Sequence, residues 1–112
     1  MTQERIGGYK VQQGENVTIE VVATGVNEFV TASLDNSDLS EAGSAPARFP
    51  FTVTKDPGQE HLVDVECQFD ATAANNAQYQ IFVQGSGGGR FSDFTIPRSD
   101  LDPSRTITFV VV

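Results

Sequence analysis

The clearest indication of the fold is the heptapeptide VDVECQF at residues 63–69. Its apolar residues, Val63, Val65, Cys67 and Phe69, alternate with three polar ones. A two-residue period places successive side chains on opposite faces of a β-strand, whereas a helix needs a period near 3.6. The heptapeptide therefore predicts a strand with one buried face and one face in water.

The same alternation recurs along the chain, for example at residues 17–21, 49–53, 79–83 and 107–111. Clusters of Gly, Pro, Asn and Asp separate about seven or eight such runs, and none of the intervals predicts a helix long enough for a parallel crossover. The pattern predicts an all-β, antiparallel two-sheet β-sandwich that is immunoglobulin-like in architecture, with a jelly roll or a small barrel as alternatives. The chain has one cysteine and no tryptophan, so any likeness to immunoglobulin domains is architectural.

The size and charge of the chain restrict its organisation and its partners. A length of 112 residues predicts one domain that spans residues 1–112. The formal net charge of -8 repels phosphate backbones, which argues against a nucleic-acid partner. No apolar run approaches the roughly 20 residues of a transmembrane helix. The polar N-terminus and the single cysteine favour the cytoplasm slightly, and the compartment stays undetermined.

The sequence does not predict an enzyme. His61 and Cys67 are the sole histidine and cysteine, and six strand residues place them roughly 20 Å apart, too far for a nucleophile and its base. We expect Cys67 in the core and His61 at the surface or the rim of the sandwich. The glycine-rich residues 85–89 precede a predicted strand, whereas a phosphate-binding loop precedes a helix, so they indicate a hairpin loop.

The acidic connections suggest a candidate site. If each predicted strand reverses the chain once, alternate connections share one end of the sandwich. Seven acidic residues collect there, and four of them lie in two short clusters: Asp35, Asp38, Asp100 and Asp102. Calcium prefers clustered carboxylate and amide oxygens, so these four residues are predicted metal ligands and calcium is the predicted cofactor, although none is required. The alternative is that the acidic residues shape turns and keep the loops soluble.

Two other sets of residues are candidate binding groups. Asp64 and Glu66 share the polar face of the clearest strand, roughly 7 Å apart, and a solvated face accounts for them. Sugar binding would need exposed aromatic rings, for which Tyr9, Tyr79 and Phe91 are the candidates.

Two functions from different classes follow. The first is a non-catalytic binding or recognition module whose acidic loop end binds a cation, a small ligand or a partner protein. The second is a structural or assembly subunit that forms a homo-oligomer through a sheet edge. Residues 106–112 are uncharged at their end and strongly strand-forming, so they would promote strand addition if they lay at an edge and would belong to the core otherwise.

Overall fold

A computed structural model describes residues 2–4, 8–25, 29–39, 43–44, 46–69, 73, 75–86, 90–99 and 103–112. These residues form eleven strands and no helix. The strands are β1 (Thr2–Glu4), β2 (Gly8–Val11), β3 (Asn16–Thr24), β4 (Phe29–Leu34), β5 (Ser37–Asp38), β6 (Gly43–Ser44), β7 (Ala47–Thr52), β8 (Glu60–Glu66), β9 (Gln78–Gly85), β10 (Arg90–Pro97) and β11 (Ser104–Val111). Eight of them have four or more residues, which agrees with the predicted number, and β1, β5 and β6 are short additions.

The strands form two open sheets, which confirms the predicted β-sandwich and excludes the barrel. The larger sheet has the order β1-β2-β11-β8-β4-β5, with β6 also paired to β4, and the smaller sheet has the order β10-β9-β3-β7. The pairs are antiparallel except for β2 and β11, which run parallel from Tyr9 and Phe109 to Val11 and Val111.

The predicted alternation explains the core. The buried residues of each long strand are those of its apolar phase, for example Val63 and Val65 on β8, and side chains from both sheets join one cluster. Phe51 of the smaller sheet meets Phe109 of the larger sheet edge to face, with ring centroids 5.3 Å apart. Removal of this apolar surface from water, at about 25 cal/mol per Å², is the main force that holds the two sheets together.

The C-terminal strand lies inside the larger sheet, so the structure shows the core alternative for residues 106–112 and not the edge alternative. β11 pairs with β8 on one side and with β2 on the other, and its apolar residues Ile107, Phe109 and Val111 are buried in the core. The apolar end of the chain therefore belongs to the core.

The strands that border the two sheets are poor templates for strand addition. In the part of the chain that the structure describes, β1 and β5 border the larger sheet and have three and two residues. In the smaller sheet, β7 contains Pro50, which has no N–H to donate, and β10 has a register shift between Ser92 and Phe94. Short strands, proline and bulges are the usual protections of sheet edges.

Backbone hydrogen bonds close the two ends of the sandwich. At the first end, here the Gly14 pole (residues 12–15, 35–36 and 53–59), the N–H of Gly14 donates to Val53 and the N–H of Gly58 donates to Val111, both at 2.8 Å. At the second end, the Cys67 pole (residues 24–25, 67–69, 97–99 and 103–104), the N–H of Cys67 donates to Pro103 at 2.9 Å. The described residues contain no helix with the length and apolarity needed to cross a membrane.

Candidate functional site

The acidic connections do not share one pole, so that prediction is wrong. β5 pairs with the C-terminal end of β4 and β6 pairs with its N-terminal end, so the chain travels back along β4 before β7 begins. This extra reversal makes β7 antiparallel to β3 and brings the turn at residues 55–59 to the pole that holds Asp35. The connection between Pro97 and Ser104 starts and ends at the opposite pole.

Two of the four predicted metal ligands lie in the described residues. Asp35 lies in the turn between β4 and β5, and Asp38 is exposed on β5, whereas Asp100 and Asp102 lie outside the described part of the chain. Within that part, no three His, Cys, Asp or Glu residues are arranged to hold a metal ion. The four-carboxylate calcium site stays a prediction.

The position of Asp35 follows from a tight turn. Leu34 pairs with Ser37, and the two residues between them, Asp35 and Asn36, have φ of 50° and 69°. Positive φ at both central residues is the signature of a type I′ hairpin turn, and Asp and Asn adopt that region more readily than other residues with a Cβ. The turn directs the Asp35 carboxylate to the neighbouring strand β8.

His61 on β8 receives this carboxylate. Its Nδ1 lies 2.7 Å from Oδ2 of Asp35, and its Nε2 accepts a hydrogen bond from the N–H of Thr54 at 3.3 Å. Because Nε2 is an acceptor, Nδ1 carries the ring proton and donates it to Asp35. Thr54 follows β7 of the smaller sheet, so the imidazole connects the two sheets at the Gly14 pole.

His61 was expected at the surface or the rim of the sandwich, and the surface position is wrong because the side chain is only 2% exposed. A signal for its burial was present in the sequence, since His61 has the same parity as Val63 and Val65. Histidine is amphipathic, so parity alone does not decide between core and rim. The carboxylate and the backbone N–H satisfy both ring nitrogens, which makes the burial energetically acceptable.

The environment of Asp35 stabilises its charged form. Burial by itself would raise the pKa of Asp35, but the N–H of Leu62 donates to Oδ1 at 2.9 Å, His61 donates to Oδ2, and the ammonium of Lys55 lies 3.5 Å from Oδ2. These hydrogen bonds and charges outweigh burial and hold the pKa of Asp35 below its ordinary value. We call Asp35, His61, Thr54 and Lys55 the inter-sheet clasp.

The clasp has the carboxylate–imidazole geometry that orients a general base. However, Nε2 of His61 already accepts a hydrogen bond from the backbone N–H of Thr54, so it does not face a substrate. Cys67 follows the far end of β8, is 3% exposed, and burial raises the pKa of its thiol to about 12 although Arg105 opposes that shift. Neither side chain is positioned to begin nucleophilic chemistry.

The polar residues that do converge lie on the outer face of the larger sheet. Two rows cross β4, β8 and β11, and each row has a carboxylate between two hydroxyls: Thr31–Glu66–Ser104 and Ser33–Asp64–Thr106. The hydroxyl of Thr106 donates to Oδ1 of Asp64 at 2.5 Å. Asp38, opposite Ser33, extends the second row by one strand.

Small residues beside the central carboxylates make this face concave. A depression of about 330 Å³ is lined by Ser33, Asp64, Glu66, Ser104, Arg105 and Thr106, and a second one of about 210 Å³ adjoins it toward Asp38. We call these depressions together the carboxylate trough. The sequence predicted the outward orientation of Asp64 and Glu66, but it did not reveal the hydroxyls, because they come from strands that pair at long range.

The two outer faces of the sandwich differ in charge. Among residues whose side chains the structure describes, the outer face of the larger sheet has four carboxylates, at Asp38, Glu60, Asp64 and Glu66, and one ammonium, at Lys10. Among these residues the charge asymmetry lies between the two faces, whereas the acidic connections predicted an asymmetry between the poles.

The outer face of the smaller sheet has two arginines around one carboxylate. Glu20 on β3 accepts from Arg48 of β7 at 2.9 Å and from Arg90 of β10 at 2.5 Å, and the Arg90 guanidinium lies 4.0 Å above the centre of the Phe82 ring. The side chain of Glu20 is 18% exposed, whereas those of Arg48 and Arg90 are 74% and 48% exposed. We call this group the twin-arginine cluster.

The aromatic candidates for sugar binding are not available as platforms. Tyr9 and Tyr79 are buried, and Phe91 packs against the core and lies 5.6 Å from the Tyr9 ring. Tyr79 donates its hydroxyl proton to the carbonyl of Gln68. Comparisons with protein-family models, curated proteins and solved structures give no match to this chain.

Proposed function

We propose that this protein is a non-catalytic recognition module that docks a cationic partner on the carboxylate trough. The observation that carries the proposal is the pair of cross-strand rows in which Asp64 and Glu66 each lie between two hydroxyls. Lysine and arginine side chains offer several N–H donors, which match clustered carboxylate and hydroxyl acceptors.

The overall charge supports the same partner class. The net charge of -8 attracts cations from a distance and accelerates their encounter, while the trough supplies contacts at short range. The carboxylates of Asp64 and Glu66 belong to residues two apart on β8, a separation of roughly 7 Å that equals the spacing of same-face side chains in an extended peptide. The preferred partner is therefore a protein segment with basic residues at alternate positions.

A pair of matched variants tests the proposal. Glu66→Gln and Asp56→Asn each remove one negative charge, but Glu66 lines the trough and Asp56 lies at the Gly14 pole. We expect Glu66→Gln to weaken binding of an extended peptide with alternating arginines about two- to fivefold more than Asp56→Asn does. Fluorescence anisotropy at low and physiological salt gives the two affinities, with a glutamate-substituted peptide as a negative control.

Equal losses of peptide affinity in the two variants would contradict the trough as the binding surface. They would indicate that long-range attraction alone accounts for binding. Unchanged affinity in both variants would contradict the proposal altogether. Because both substitutions are nearly isosteric and surface-exposed, neither should change the fold.

One finer proposal accompanies this one. We propose the immunoglobulin-like class for the sandwich on the strand pattern given above. A calcium site shared by Asp35, Asp38, Asp100 and Asp102 is not proposed, because Asp35 lies at the Gly14 pole and the connection between Pro97 and Ser104 starts and ends at the Cys67 pole.

A further inference from the structure

We propose that copies of this chain associate face to face, with the twin-arginine cluster of one copy on the carboxylate trough of the next. The proposal extends the proposed function, because it names a second copy of the chain as one cationic partner of the trough. It also replaces the sheet-edge mechanism of assembly, which the interior position of β11 removes.

The two surfaces are complementary in charge and spacing. Arg48 and Arg90 both contact Glu20, so one carboxylate holds their guanidinium groups a few ångströms apart. A single carboxylate neutralises one of the two positive charges, and the exposed guanidinium edges retain N–H donors for a second pair of acceptors. Asp64 and Glu66 supply such a pair in the trough.

The arginine side is held in place before contact. Arg90 stacks on Phe82 and Arg48 contacts Oε2 of Glu20 through both Nε and Nη2. Side chains that are already ordered lose less conformational entropy on binding than free ones do. Among the residues whose side chains the structure describes, Glu20 is the one carboxylate on this face.

The geometry predicts a weak and open-ended contact. Four strands of about eight residues present roughly 500 Å² on each side, which is at the low end for specific interfaces. The two contacting surfaces differ, so a dimer retains one unoccupied trough and one unoccupied arginine cluster, and association continues beyond a dimer unless a ring closes.

The net charge makes the salt dependence distinctive. Two copies with a charge of -8 repel one another at low salt, and a Debye length of about 8 Å near 0.15 M screens that repulsion more than it screens the contacting pairs. We expect association to be strongest at intermediate ionic strength, weaker near 0.01 M, and lost near 1 M.

Sedimentation of two complementary variants tests the proposal. Arg48→Gln/Arg90→Gln keeps the trough, and Asp64→Asn/Glu66→Gln keeps the arginines, so each variant alone should stay monomeric at several hundred micromolar. An equimolar mixture should form a closed heterodimer of twice 12.1 kDa, whereas the unmodified chain should increase in mass with concentration beyond that value.

The proposed self-association would be overturned if the unmodified chain stays monomeric at every salt concentration. It would also be overturned by association that persists in either variant alone, or by a mixture that does not pair although circular dichroism shows both variants folded. Absence of peptide binding to the trough would instead overturn the proposed function. The Arg48→Gln/Arg90→Gln variant keeps the trough and should not self-associate, so it measures peptide binding without competition from a second copy.

Discussion

The Nδ1 atom of His61 lies 2.7 Å from Oδ2 of Asp35, and this contact fixes the imidazole so that its other nitrogen accepts the N–H of Thr54 from the opposite sheet. A polar group that bridges two sheets replaces an apolar contact at the rim of the core. Because both ring nitrogens of His61 and both carboxylate oxygens of Asp35 have partners, the clasp should contribute to stability despite the cost of burial.

Replacement of Asp35 by Asn tests the electrostatic part of the clasp. Asn tolerates the positive φ of the turn and still accepts the Leu62 N–H, but it lacks the charge that attracts Lys55 and His61. We expect a loss of about 1–2 kcal/mol in the free energy of unfolding near neutral pH, measured by urea denaturation.

The same variant has a defined pH dependence. The pKa of Asp35 is lowered in the folded state, so its contribution is present above the unfolded value of about 3.9 and disappears as the pH falls through the folded value. The stability difference between the unmodified chain and Asp35→Asn should therefore shrink below about pH 4. A difference that stays constant into strong acid would show that the carboxylate charge is not its source.

Replacement of His61 tests the link between the sheets. His61→Ala removes a buried ring that packs on Phe51 and deprives the Thr54 N–H of its acceptor, which should cost about 2–4 kcal/mol. His61→Gln retains an amide oxygen near the Nε2 position and should recover part of this loss. Equal stability of the two variants would indicate that packing alone, without the Thr54 hydrogen bond, accounts for the effect.

Two glycines provide a matched test of backbone constraint. Gly8 has φ of 103°, and a Cβ there would overlap the carbonyl oxygen of Thr108 on β11, whereas Gly14 has φ of 87° and open space around it. We expect Gly8→Ala to lower the free energy of unfolding by about 2–4 kcal/mol, because it adds a steric overlap to the backbone strain. Gly14→Ala has the backbone strain alone and should lower it by about 1 kcal/mol. Similar thermal denaturation midpoints for the two variants would contradict the close approach of β2 to β11.

The thiol of Cys67 should be inert in the folded protein. Burial raises its pKa to about 12, so thiolate is scarce near pH 8, and the buried position restricts access by reagents. A colorimetric disulfide reagent should react with the denatured chain within minutes and with the native chain only as fast as it opens. Rapid stoichiometric labelling of the native chain would contradict this placement.

The local pattern predicted the strands well because it depends on neighbouring residues alone. Val63, Val65 and Cys67 are buried as their alternation requires, and the apolar phase of β11 follows the same rule. The position of β11 in the sheet was not predictable in this way, since an apolar strand end fits both an edge and a core.

The candidate site was harder to predict because it depends on pairing between distant strands. The two residues of β5 and the two of β6 carry no strong periodic signal, yet they reverse the chain and change the pole of every later connection. The hydroxyls of Ser33 and Thr106 flank Asp64 from positions about thirty and forty residues away in sequence. Those neighbours are defined by sheet order, which single-strand patterns do not contain.

The central claim is that the carboxylate trough is the docking surface, and amide chemical-shift mapping tests it most directly. Titration of the ¹⁵N-labelled chain with the alternating-arginine peptide should shift the amides of Ser33, Asp64, Glu66, Ser104 and Thr106 together, with one common dissociation constant. Shifts confined to the Gly14 pole or to the outer face of the smaller sheet, or no shifts at saturating peptide, would contradict the claim.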